Sequence, residues 1–478
     1  MLFNTFTFAW FFPLVFVLYW LLQKKDLKWQ NGLLIVASYY FYACWNWKFL
    51  FLLIFSTALD YASGIQIEKS TSEKKRKFWF WLSILINLGF LGVFKYYNFF
   101  VDSLVELFAS FGVSLHLATL QVLLPVGISF YTFHGLSYVI DIYKRRIAAE
   151  RDFVVYSLFV SYFPLLVAGP IERATHLLPQ LKQKRIFTYE QGVSGLRQIL
   201  WGLFKKIVIA DTCAQYANPI FNNPEAYSGS TLFMGALFFT FQIYGDFSGY
   251  SDIALGTSRL LGIELLKNFS FPYFSRDIAE FWRRWHISLS TWFKDYVYIP
   301  LGGSQGGRWM QIRNTFIIFL VSGFWHGANW TFIAWGFLNA LYFLPLLLTN
   351  KNRSHVEIVA NHSMFPSFKE IIGMGITFLL TVFAWIFFRA PSVSDALYFI
   401  QKICSKSVLQ WPTVRPTFLI VLLLFFVLVE WWGRKGNFAL EKLWVKQSRI
   451  LRWSLYLLLL VLLFLFQGEP ETFIYFQF

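Results

Sequence analysis

Two histidines stand apart from the other five in this 478-residue chain because of what surrounds them. His326 falls between Arg313 and Lys351, a stretch with no Asp, Glu, Lys or Arg, so it is the one readily ionisable side chain there. A neutral imidazole so placed can take the proton of an attacking hydroxyl, and a positioned base contributes roughly 10²–10⁴-fold. The competing reading is a histidine that hydrogen-bonds two helices together. His286 lies at the edge of an aromatic-rich helix, where it could orient an acceptor, polarise a carbonyl or assist proton transfer, or simply sit at an interface beside tryptophans. Arg283, Arg284 and Lys294 flank it, as candidates for holding the phosphates of a coenzyme A or phosphopantetheine thioester. Their alternative role is to anchor the helix to lipid head groups. Asp246 and Asp252 share one apolar segment and need partners, either arginines within a bundle or an acceptor path. His134 reads as a packing residue, while His116, His176, His355 and His362 occupy polar or loop-like surroundings.

The elements that must position these groups can be read from periodicity. At about 100° per residue, Phe281, Trp282, Trp285, Leu289, Trp292, Phe293 and Tyr296 share one face of a helix over Ser275–Tyr296, with His286 just past its edge. Ser275 is its expected N-cap, with Asp277 and Glu280 in the first turn. The polar residues on the rest of the circle exclude a hydrocarbon crossing, so this helix is expected at an interface or along a wet cavity. An apolar helix starting near Asn314 carries His326 roughly 20 Å along its axis, inside a hydrocarbon layer about 30 Å thick. Gly327 and Asn329 then offer a break. Gly302–Gly307 lacks the strand, the Lys-Ser/Thr pair and the spacing of a nucleotide-binding loop and reads as a flexible turn.

Composition sets the class. With 57% hydrophobic, 22% aromatic and 14% charged residues, the chain is too apolar for a soluble domain of this length. Its net charge of +16 fits cytoplasmic loops and anionic head groups rather than nucleic acid. Residues 1–22 lack a basic n-region and a small-residue cleavage site and read as a retained first span. Cys44, Cys213 and Cys404 are isolated, which indicates neither a disulfide framework nor a zinc site; no bound metal is expected.

Taken in order, 7–22 is a span followed by Lys24, Lys25 and Lys28; 31–66 is a tight pair of short spans around Trp45-Asn46-Trp47; and Glu68–Lys77 carries five Lys/Arg. The span 78–97 leads to 98–120, without Lys or Arg, and 121–141 returns to Lys144, Arg145, Arg146 and Arg151. Residues 153–169 end in Ala168-Gly169-Pro170 and read as a re-entrant hairpin. Spans follow near 192–213, 231–257, 331–348, 370–388, 417–432 and 453–466, with Arg434–Arg452 a basic cytoplasmic run and 389–416 the longest candidate exposed segment.

FWRRWHISLSTWFKDYVYIPLGG (281–303) and SGFWHGANWTFIAWG (322–336) resemble the two signature blocks of the membrane-bound O-acyltransferase family, in particular its bacterial branch that acylates cell-surface glycans. The resemblance extends through 124–145, 160–173, 202–211 and 242–262; the final third is similar in hydropathy alone. It implies an all-α polytopic membrane protein, about 11–13 transmembrane helices plus re-entrant and amphipathic interfacial helices around a central cavity. One transmembrane domain over 1–478 is expected, with N-terminal spans in 1–150, the core and active site in about 151–348, and C-terminal spans in 370–466. By matching motif, His326 corresponds to the family's catalytic histidine and His286 to the second active-site histidine of the bacterial branch.

The activity so implied is O-acyl transfer from a cytoplasmic thioester to a hydroxyl of an extracytoplasmic polysaccharide, or of a partner acyltransferase, in a bacterial plasma membrane. Similarity to proteins of alginate and related exopolysaccharide O-acetylation suggests acetyl-coenzyme A as donor substrate, with no cofactor bound. The alternative is D-alanyl transfer from a carrier protein toward teichoic acid. Outside this class stand a proton-coupled transporter using His326, Asp246 and Asp252 as a relay, unsupported by any inverted repeat, and a non-catalytic scaffold. The charge pattern also predicts sidedness: 24–30, 68–77, 144–151 and 434–452 on the cytoplasmic side, 98–120 outside. Single cysteines placed in 98–120 should label with a membrane-impermeant maleimide from outside; efficient labelling only from the cytoplasmic side reverses the map.

Overall fold

The computed structural model describes the chain except residues 122, 168, 444–446, 469–470 and 475–478. Every described regular element is helical. The chain forms two compact units, 1–192 with 258–266, and 193–257 with 267–478.

The first unit holds α1 (Phe6–Leu21), α2 (Leu27–Lys69), α3 (Glu73–Leu91), α4 (Tyr97–Ser110), α5 (Ile128–Tyr143), α6 (Phe153–Ser161), α7 (Phe163–Leu166) and α8 (Ala174–Leu181). Where a pair of short spans was expected in 31–66, α2 is one long helix kinked at Asn46 (φ −158°, ψ 110°), where the side chain accepts the Lys48 N–H. The segment 98–120 is helical through Ser110, continuing from α3 through a π-helical turn at Gly92–Tyr96. The expected hairpin over 153–169 breaks at Tyr162, and the Phe163 N–H is taken up by Ser38 Oγ at 3.0 Å. Ala168 lies outside the described residues. Buried Asp60 of α2 accepts from Ser83 and Asn87 of α3, and His134 Nε2 accepts the Glu172 N–H at 3.0 Å, the packing role its surroundings suggest. Burial raises the Glu172 carboxyl, and its hydrogen bond to His176 raises that imidazole.

The second unit holds most of α9 (Tyr189–Leu203), α10 (Asp211–Asn222) and most of α11 (Gly229–Leu260), then α12 (Ile278–Arg284), α13 (Ile287–Phe293), α14 (Gly307–His326), α15 (Trp330–Leu348), α16 (Phe368–Arg389), α17 (Val393–Ile403), α18 (Thr417–Gly433) and α19 (Arg449–Leu465). The presumed exposed segment 389–416 contains α17 and a 3₁₀ turn at Lys406–Leu409, because Ser392 caps the helix by accepting the Asp395 N–H.

Among the described residues, five helical stretches are long and apolar enough to cross a bilayer: Phe6–Lys24, Leu27–Lys69, Glu73–Ser110, Trp330–Leu348 and Phe368–Arg389. The further spans expected would have to come from shorter helices such as Thr417–Gly433 or from charge-bearing ones such as α11.

The carboxylates of α11 show why it tolerates charge. A Cβ on Gly202 would lie 2.6 Å from the Gly249 carbonyl oxygen, so α9 and α11 approach at backbone distance, as small residues permit in membrane helices. That approach brings the π-helical turn Phe204–Ala210 beside α11. Lys205 pairs with Asp252 at 2.6 Å, and fully buried Lys206 bridges Asp211 and Asp246, each at 2.8 Å. The partners of Asp246 and Asp252 are therefore lysines, not the arginines anticipated. A buried pair that loses one partner leaves an uncompensated charge costing about 3–5 kcal/mol. Lys206→Met is accordingly expected to lower the thermal unfolding temperature of the detergent-purified protein sharply, and adding Asp246→Asn to restore part of it. Unchanged unfolding in Lys206→Met would show that this network contributes little to stability.

Candidate active site

The local sequence ends α14 at His326. Gly327 takes extended backbone (φ −162°), Asn329 caps α15 by accepting the Thr331 N–H, and the Asn329 amide donates to Pro391 O at 3.1 Å. The hairpin so formed is close-packed: a Cβ on Gly323 would stand 2.2 Å from Phe332 O, and one on Gly336 2.4 Å from Phe319 O. This contact turns His326 inward, where it is 3% exposed. Its ring packs among Trp325 (4.9 Å between centroids), Trp335 (5.1 Å) and Phe388 (5.3 Å).

The expected helix over Ser275–Tyr296 is instead two seven-residue helices, α12 and α13, followed by a π-helical turn at Lys294–Tyr298. Asp277, not Ser275, is the N-cap, accepting the Glu280 N–H, while Ser275 Oγ donates to Pro272 O. The break falls at Trp285–His286, with His286 in the left-handed region (φ 42°, ψ 55°). Periodicity placed His286 at the rim of an apolar face, but the break turns it fully inward, at 1% exposure. Phe247 of α11 meets its ring edge-on at 4.7 Å, and neither ring nitrogen has a hydrogen-bond partner among the described residues.

The two imidazoles meet. Their centroids are 6.3 Å apart, with Trp325 5.8 Å from the His286 ring. A single substrate oxygen or carbonyl can span that separation, which is what joint action on one reacting group requires. Burial pulls the His286 pKa down to about 3, so this imidazole is neutral at neutral pH and offers one N–H donor and one lone-pair acceptor.

The two arginines are engaged elsewhere. Arg283 donates to the carbonyls of Asn352 (2.7 Å) and His355 (2.8 Å). Arg284 makes two contacts to the buried Glu280 carboxylate, at 2.8 and 3.0 Å, and also donates to the Ser270 and Glu357 carbonyls. Both guanidinium groups thus tie α12 to neighbouring chain, and Lys294 is exposed. Gly302, Gly303, Gly306 and Gly307 all have positive φ, the turn expected of that run.

Sequence reasoning left several contributors unassigned. Trp385 and Phe388 come from the final third, yet Phe388 touches His326, and Trp385 packs 5.0 Å from Trp285 and 5.7 Å from Trp335. Glu430 and the two lysines at 205 and 206 were likewise unassigned, although the Lys-Lys pair inside an apolar run was a legible signal. Glu430 is buried, accepting from Tyr244 (2.6 Å) and Trp201 (3.0 Å).

Comparison with known proteins bears on this arrangement. The family model described as MBOAT, membrane-bound O-acyltransferase family, matches residues 147–374, which contain both histidines. A probable alginate O-acetylase of Pseudomonas aeruginosa is 39% identical over 394 residues, 82% of this chain and 72% of that protein. The peptidoglycan O-acetyltransferase of Helicobacter pylori is 37% identical over 427 residues, 83% of this chain and 78% of that protein. A teichoic acid D-alanyltransferase of Bacillus subtilis is 28% identical over 231 residues, 45% of this chain and 57% of that protein.

The buried His286 has a consequence for stability. Between about pH 6.5 and 3 the unfolded chain binds a proton that the folded His286 refuses, so folding loses stability as pH falls through that window. His286→Gln should therefore flatten the decline in unfolding temperature between pH 7 and pH 4.5, measured in detergent. An equally steep decline in the variant would mean that other groups dominate acid sensitivity.

Proposed function

The chain belongs to the membrane-bound O-acyltransferase family, and from that premise we propose that it moves an acetyl group from acetyl-coenzyme A on the cytoplasmic side of a bacterial plasma membrane to a hydroxyl outside it. The acceptor in this reading is an extracytoplasmic polysaccharide or a partner acyltransferase that serves one. The observation that carries it is the meeting of two buried imidazoles at 6.3 Å. His326 acts as general base: it takes the proton of the acceptor hydroxyl as that oxygen attacks the thioester carbonyl. The C–S bond then breaks, and the departing thiolate recovers a proton from the imidazolium. His286, neutral and without a hydrogen-bond partner among the described residues, directs its N–H at the carbonyl oxygen where negative charge develops. A thioester is already activated, so no acyl-cysteine is required; Cys213 is buried and Cys44 and Cys404 are exposed, none in either signature block.

Acetyl is favoured over D-alanyl because the two O-acetylating relatives match over 82% and 83% of this chain, against 45% for the D-alanyltransferase. Those relatives, named for alginate and peptidoglycan, support a surface glycan as the final acceptor. Arg283 and Arg284 could contribute to donor binding only if phosphate oxygens replaced the carbonyls they now contact. Exposed Lys294 faces no such competition, which makes it the more available of the three cations.

His326→Ala should leave a folded, membrane-inserted protein whose glycan acetylation falls by about two orders of magnitude or more, read by mass analysis of the surface polymer. His326→Gln keeps polarity and much of the size while removing the basic nitrogen, and the same loss is expected. Near-normal acetylation in a folded Gln variant would return His326 to a packing role.

A further inference from the structure

The bent conformation at His286 has to be imposed. A non-glycine residue in the left-handed region is disfavoured and persists only where its surroundings over-determine it. In an uninterrupted helix the Ile287 N–H would bond to the Arg283 carbonyl, and the Arg284 carbonyl would accept from Ser288. Neither group is used that way. The Ile287 N–H donates to Asn268 O at 2.9 Å, and the Arg284 carbonyl accepts the Ser270 N–H at 3.0 Å. The segment 268–270 therefore replaces, on both sides of the break, the bonds that a continuous helix would make.

We propose that Asn268 is the positioning residue that holds His286 in the active site. Its side chain, 1% exposed, is tied in two directions: Oδ1 accepts from Ser288 Oγ of α13 at 2.6 Å, and Nδ2 donates to Ser251 Oγ of α11 at 3.2 Å. Ser251 lies one helical turn beyond Phe247, whose ring meets His286. The adjoining Phe269 packs against Phe247 at 4.9 Å and against Trp285 at 5.0 Å. One carboxamide, donor and acceptor together, thus fixes the helix behind His286 and the helix after it to the segment that enforces the bend. An apolar residue of similar size supplies neither bond. Asn268 falls between the signature-like blocks 242–262 and 281–303, so the motifs do not point to it.

This inference rests on the transfer reaction proposed above for its kinetic arm and on geometry alone for its spectroscopic arm. The experiment uses the full chain in lipid nanodiscs, labelled with ¹⁵N-histidine, with the His286 imidazole resonance assigned by its loss in His286→Gln. Asn268→Ala is expected to shift or split that resonance. Transfer of acetyl from acetyl-coenzyme A should show kcat lowered about 10- to 100-fold with KM changed much less, the cost of a misplaced catalytic group. Ser288→Ala, which removes one of the two ties, should move both readouts the same way but less. An unshifted His286 resonance with normal kcat in folded Asn268→Ala overturns the proposal. So does a loss confined to the yield of folded protein, with normal kcat per folded molecule. If Asn268→Ala does not fold, Ser288→Ala decides by the same two readouts. A wild-type protein that shows no acetyl transfer sinks the proposed reaction, while the resonance still tests the positioning role.

Discussion

In a water-poor helical interior every backbone N–H and C=O needs a protein partner, and a break in a helix releases groups that must be taken up nearby. Both histidines of this protein sit at such breaks. At His326 the chain is held by the Asn329 cap and by glycine contacts between α14 and α15. At His286 it is held by the segment 268–270. The same rule operates at Tyr162, where Ser38 accepts the N–H released between α6 and α7. Helix ends are where an imidazole can leave the helical surface and meet another from a different element, so the cost of breaking the helices is coupled to assembly of the site.

Burial of charge follows a parallel rule. Lys205, Lys206, Asp211, Asp246 and Asp252 are compensated within one neighbourhood, made possible by the approach of α9 and α11 at Gly202 and Gly249. Glu430 is satisfied by a phenol and an indole from two other helices. These groups tie together α9, α11 and α18, and α11 presents Phe247 to His286. His286, by contrast, keeps both nitrogens unpartnered among the described residues. An unsatisfied buried polar group costs free energy, and His286 carries that cost beside a second imidazole.

The aromatic density of the chain also has a structural use. Trp285, Trp335, Trp385 and Phe388 form a contiguous wall around the histidine pair, with centroid separations from 5.0 to 5.7 Å. Such rings keep the surroundings of the two imidazoles apolar. The wall draws on α16, beyond the signature blocks, so the site extends further along the chain than its motifs suggest.

Membrane class and helical architecture were legible in the sequence, and so was the isolation of His326 in an uncharged stretch, because composition and hydropathy are one-dimensional properties. The kink at Asn46, the cap at Asn329 and the end of α14 beside Gly327 were legible for the same reason: turn and cap chemistry is local. The break at Trp285–His286 was not. The apolar periodicity across 281–296 is what a continuous helix would show, and the hydrogen bonds that interrupt it come from residues 268 and 270. Nor could periodicity pair Lys206 with Asp246 or place Trp385 against Trp285, since those partners are distant in sequence. The chain specified which groups could do chemistry; the tertiary structure decided which of them meet, because long-range contacts alone can hold an imidazole in a backbone conformation that its own neighbours disfavour.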